Sequence, residues 1–80
     1  MSTAITSLAE LLRRLSLGEA AGAHIQGFIA EGVDLGGADL AETTWNDVEL
    51  RGAILAGADL TNATLCRVNL EGAKITEINP

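Results

Sequence analysis

The stretch AGADLTNATLCRVNLEGA, residues 56–73, sets Leu60, Leu65 and Leu70 five residues apart, and Ala58, Ala63, Val68 and Ala73 at the same interval. A five-residue beat fits neither regular element. On an α-helix five residues advance about 500°, so successive leucines point about 140° apart. On a flat strand an odd step turns the side chain to the opposite face. A chain with this beat must bend at a fixed interval and keep its large apolar residues on the inside of every bend.

Outward from this stretch the beat holds over 33–77, as VDLGG, ADLAE, TTWND, VELRG, AILAG, ADLTN, ATLCR, VNLEG and AKITE. The third position carries Leu, Trp or Ile. The first carries Val, Ala or Thr, and the others are mostly polar or glycine. A repeat of this kind predicts a chain wound around an axis, each coil stacked on the last at about 4.8 Å. Backbone groups then pair with the coils above and below. Shifting 33–52 by 20 residues gives nine identities, among them Thr44/Thr64 and Gly52/Gly72, against four, two and seven for shifts of 5, 10 and 15. Twenty residues per coil is favoured, with 15 a near rival.

ADLAE (38–42), ADLTN (58–62), ATLCR (63–67) and VNLEG (68–72) resemble the A(D/N)LXX motif of the pentapeptide-repeat family. The resemblance spans about 33–79. It implies a mainly β fold, a right-handed quadrilateral parallel β-helix with 20 residues per coil. Third-position residues would fill the axis and first-position residues would line it. It also implies a protein without enzymatic activity. Segment 33–80 would then make about 2.4 coils, a prism roughly 12 Å tall. Family members that mimic DNA and bind a topoisomerase resemble rods several times longer.

Three departures from the motif stand out. Thr43 and Trp45 break the third pentad, and Ile54 stands where Asp or Asn is usual and should face outward. Trp45 is large for a slot otherwise holding Leu. It either fills a looser coil near the N-terminal helices or leans out toward a partner.

The first segment, 1–32, reads as a helical cap of one or two helices. Ser7 and Glu10 have capping-box spacing. Leu8, Leu11, Leu12 and Leu15 form one amphipathic stripe, Glu10 and Arg14 an i, i+4 pair, and Gly18 a stop. A second helix is predicted over 19–31 with Ala21, Ile25, Phe28 and Ile29 on one face, although Gly22 and Gly27 weaken it. The leucine stripe either covers the first coil, as solenoids require of their ends, or docks on another chain.

Composition narrows the function. The 80-residue chain allows one domain and a modest core. Its single cysteine, Cys66, precludes an internal disulfide. Its single histidine, His24, has no acid and nucleophile at meaningful spacing. No catalytic, metal or cofactor site is predicted, and Cys66 reads as a free surface thiol. GGAD (36–39) lacks the Lys-Ser/Thr of a phosphate loop. The net charge of −6 disfavours direct binding to nucleic acid or to anionic membranes. No apolar run approaches the ~20 residues that span a bilayer. The N-terminus lacks the basic start and unbroken apolar run of a signal peptide, so a cytoplasmic setting is expected.

Asp39 and Asp59 should stack on one face with Asn79 next in line. They read as corner residues that accept from backbone amides, or as part of an acidic stripe imitating phosphates. At the other end, Leu65, Leu70 and Ile75 should face an uncovered coil edge, which is a liability. The expected function is therefore a protein–protein interaction module that forms a homodimer through its C-terminal coil. The alternative is an acidic nucleic-acid mimic that modulates a DNA-handling enzyme.

Overall fold

In the computed structural model, which describes residues 4–77, every fifth residue from Gly22 to Glu77 has φ between +53° and +77°. These residues make the bends that the sequence beat demands. At many of them the first-position amide of the next pentad donates to the preceding third-position carbonyl, as in Ala38 to Leu35 (3.1 Å), Ala53 to Leu50 (3.0 Å) and Ala73 to Leu70 (2.9 Å). A positive φ at the third residue of a four-residue turn is the type II arrangement.

The chain between bends runs beside the chain 20 residues on. Strands β1 (His24–Gln26), β2 (Thr44–Glu49) and β3 (Thr64–Asn69) form a parallel sheet in the order β1-β2-β3. The register sets Ile25 beside Trp45 and Trp45 beside Leu65. The other faces repeat the offset through the bridges Asp34↔Ile54, Asp39↔Asp59 and Ile54↔Lys74. Twenty residues, not 15, make one coil, and the chain is β-solenoid-like. Its extents are 33 × 21 × 20 Å.

The second helix predicted over 19–31 is not formed. That segment contains β1, and its amides join the ladder, with Gly22 donating to Ala41 (2.8 Å) and Ala30 to Glu49 (2.7 Å). The reason lies in the glycines that weakened the helix. Gly22 and Gly27 have φ of +77° and +75°, conformations that glycine adopts without steric penalty and that a helix excludes. The buried residues are Ala20, Ala23, Ile25 and Ala30, which keep the five-residue beat, whereas Ile29 is 67% exposed.

The first helix forms as α1 (Leu8–Ser16). Ser7 caps it, its side chain accepting from the Glu10 amide at 3.2 Å. The helix closes on Leu17 and on Gly18 at φ +71°. Glu10 pairs chiefly with Arg13 at 2.9 Å, and Arg14 stands at 3.9 Å. The Arg14 Nε instead donates to the Glu19 carbonyl at 3.1 Å, just past the helix end. Leu11 is fully buried, and Leu8 and Leu15 pack against the same core. Upstream, Ile5 extends the sheet beyond β1: its amide donates to the His24 carbonyl at 2.7 Å and its carbonyl accepts from Gln26 at 2.9 Å.

The core is a set of columns along the axis. One column runs Ile5, Ile25, Trp45 and Leu65, the first three of them buried. Trp45 is 1% exposed, so it fills its slot and does not lean outward. A buried indole N–H needs an acceptor. Thr43, two residues earlier and itself fully buried, provides it: Trp45 Nε1 donates to Thr43 Oγ1 at 2.8 Å, and Thr43 Oγ1 donates to the Leu40 carbonyl at 2.7 Å. The two departures of the third pentad are thus one adaptation, a large residue in the axis and a hydroxyl to satisfy it.

Candidate functional site

The same columns end in an apolar cup. Leu60, Leu65, Leu70 and Ile75 are the third-position residues of the last coil. Together with Trp45, Leu50 and Leu55 beneath them they line a cavity of about 190 Å³. The floor is buried, while Leu65 and Ile75 on the rim are 43% and 44% exposed. Leu65, Leu70 and Ile75, predicted as an end contact, are therefore brought together. Trp45, read from sequence as a contact residue, reaches the cup only as part of its floor.

Beside the cup runs the outer side of β3, the last strand of the sheet among the described residues. Such an edge carries a row of backbone donors and acceptors. Charge around it is balanced: residues 61–77 hold Arg67 and Lys74 against Glu71 and Glu77, net zero. Residues 1–60 carry three cations and nine acids, net −6. Neighbouring coils are also tied by side chains. Arg67 grips Asp47 through two bonds, Nε to Oδ1 at 2.6 Å and a terminal guanidinium nitrogen to Oδ2 at 3.2 Å. Arg51 lies between Glu31 and Glu71 at 3.6 and 3.9 Å.

The other predicted residues fall elsewhere. Asp39 and Asp59 do stack as neighbours on one face. Each accepts from the amide two residues on, Asp39 from Ala41 at 3.3 Å and Asp59 from Thr61 at 3.0 Å. Asp34 and Asn69 do the same with Gly36 and Glu71. Corner-making is the role these second-position residues visibly perform. Ile54 occupies the same second position, half-buried between the Asp34 and Lys74 backbones. Within the α1 stripe, Leu11 is buried, Leu8 and Leu15 are half-buried, and Leu12 is 42% exposed. Cys66 is a free, half-buried thiol. Asn79 lies outside the described residues. No group of three or more His, Cys, Asp and Glu among the described residues could hold a metal ion. No helix among them is long and apolar enough to cross a membrane.

Three carboxyls sit below their ordinary range. The Arg67 hydrogen bond lowers Asp47, the Thr61 hydroxyl and amide lower Asp59, and the Arg13 hydrogen bond lowers Glu10. A carboxyl whose pKa falls on folding stabilises the fold above its unfolded value and loses that contribution as pH drops through the folded value. The urea midpoint is therefore expected to be flat near neutrality and to fall below about pH 4. Asp59→Asn keeps an acceptor for the Thr61 amide and should flatten part of that acid slope. An unchanged slope in the variant would show that Asp59 does not contribute.

Searches among curated proteins and among solved structures returned no match to the chain. The family model described as pentapeptide repeats, in eight copies, matches residues 46–79. With the five-residue bends and the 20-residue ladder in place, that match identifies residues 46–79 as a segment of pentapeptide repeats.

Proposed function

We propose that the chain is a small, rigid, non-enzymatic protein–protein interaction module that self-associates through its C-terminal coil. The observation behind this reading is the apolar cup, with two large side chains more than two-fifths exposed on its rim. Burying apolar surface contributes about 25 cal/mol per Å². A rigid backbone lowers the ordering cost of association. The neutral charge of residues 61–77 lets two copies meet there without the repulsion that the remaining −6 imposes elsewhere. In this reading the solenoid is right-handed, α1 is the cap of its first coil, and the setting is cytoplasmic. The mimic reading has less support. The stacked Asp39 and Asp59 each commit one carboxylate oxygen to their own corner, and Arg51, Arg67 and Lys74 interrupt the acidic surface.

Sedimentation velocity across micromolar concentrations tests the reading. The 80-residue chain is expected to dimerise, and Leu65→Asp, which places a charge on the rim, to weaken the dimer at least tenfold, about 1.4 kcal/mol. A chain that stays monomeric, or a dimer indifferent to Leu65→Asp in a variant with unchanged circular dichroism, would overturn it.

A further inference from the structure

The open end of the solenoid is a backbone edge as well as a cup. In the earlier coils the first-position carbonyl and the third-position amide of each pentad point to the coil that follows. The Ala23, Phe28 and Thr43 carbonyls accept from the amides of Thr44 (3.0 Å), Glu49 (3.1 Å) and Thr64 (2.9 Å). The Ala30 and Leu50 amides donate to the carbonyls of Glu49 and Asn69, both at 2.7 Å. β3 repeats this pattern one coil later, and it is the last strand among the described residues. Along β3 and its two flanking residues the outward groups are, in chain order, the Ala63 carbonyl, the Leu65 amide, the Val68 carbonyl and the Leu70 amide.

We infer that β3 pairs antiparallel with β3 of a second copy, about a two-fold axis through the corner between Cys66 and Arg67. The pairing rests on the self-association proposed above and gives it a geometry. Two three-stranded sheets become one of six strands, and the cups face each other.

Three observations carry the inference. The order acceptor, donor, acceptor, donor is its own complement when read backwards. A two-fold that sets Thr64 opposite Asn69 of the copy brings the Ala63 carbonyl to the copy's Leu70 amide and the Leu65 amide to the copy's Val68 carbonyl. Symmetry repeats both bonds, so all four outward groups are paired. The second observation is charge. Thr64 and Asn69 are uncharged, and Arg67 at the corner is held by Asp47. A two-fold through the middle of 63–67 would instead set Lys74 against its own copy, like charge facing like. The third is the far edge of the sheet, which Ile5 already occupies through the His24 carbonyl and the Gln26 amide. Another copy therefore offers no free β1 edge for head-to-tail stacking, and association closes at two.

Isotope-filtered nuclear Overhauser spectra of an equal mixture of labelled and unlabelled chain test the geometry. A contact between Thr64 Hα and Asn69 Hα of opposite copies is expected. At dimer concentrations the Leu65 and Leu70 amides should exchange about tenfold more slowly, and the Gly72 amide at the same rate as before. Charge at the paired positions supplies a second readout. Asn69→Asp keeps the acceptor that serves the Glu71 amide. Thr64→Asp/Asn69→Asp opposes like charges twice and should dimerise about tenfold more weakly than Thr64→Lys/Asn69→Asp, which opposes unlike ones. The same Asp-for-Lys exchange at Thr44, one coil further in, should change the affinity far less. A chain that stays monomeric overturns the self-association and this pairing together. A dimer that Leu65→Asp weakens but that lacks the Thr64–Asn69 contact, or that responds equally to the exchanges at Thr64 and Thr44, leaves the cup interface standing and overturns the pairing.

Discussion

Trp45→Ala is expected to remove most of the stability of this protein. Truncating a buried aromatic costs about 3–5 kcal/mol, and an 80-residue chain has only about 4–12 kcal/mol in total. The loss is large because Trp45 stands in the axis between Ile25 and Leu65 and forms part of the cup floor. Thr43→Val tests the polar half of the same adaptation. It strands the indole N–H and removes the bond to the Leu40 carbonyl, at about 1–3 kcal/mol. The double change Thr43→Ala/Trp45→Leu restores the residues that other pentads use. It should be milder than the sum of its single changes, by a coupling of about 0.5–3 kcal/mol. Urea unfolding followed by far-ultraviolet circular dichroism measures these variants together with Thr43→Ala and Trp45→Leu alone, and strict additivity of the last two in the double would refute the pairing.

An insertion experiment carries the other large effect. One glycine added between Ala56 and Gly57 puts every later residue out of phase with the bends. Asp59 and Thr64 would turn toward the axis and Ala58 away from it. The ladder bonds Asp59 to Ala38, Thr64 to Thr43 and Lys74 to Ala53, which cross the insertion, would lose their register. Such bonds contribute about 1 kcal/mol each, so the last coil is expected to detach. Hydrogen exchange should show lost protection from 57 onward, and emission from Trp45 should shift red as its cover goes. A 20-residue insertion that repeats 48–67 keeps every column and should leave protection intact. If both insertions behaved alike, the stacking period would not be what holds this fold together.

The sequence disclosed its architecture where the axis residues are large. From Leu35 to Ile75 the beat is unmistakable, because a leucine five residues from a leucine has no other explanation. Upstream, the axis positions hold Ala20 and Ala30, and these are as common on helices as in solenoids. Phe28 and Ile29 added a false helical face, and the period surfaced only in the glycines at 22, 27 and 32. The family match also begins late, at residue 46. Ile5 joins the sheet as a single residue, too short a segment to leave a pattern. The cup was legible because the same beat that builds the axis also names its last ring.

The ladder has a consequence for how the chain folds. Among the described residues every inter-coil backbone bond spans 19 to 21 residues, from Ile5 with His24 to Gly57 with Thr76. Closing a loop of that size carries the same entropic penalty wherever it occurs, and that penalty grows only with the logarithm of loop length. No later step needs more distant ends to meet. Once one coil has closed on the next, each further coil docks on a finished template, so order spreads from neighbour to neighbour as in a one-dimensional chain of coupled units. Opening should run the same course in reverse and start at whichever terminal coil is least covered.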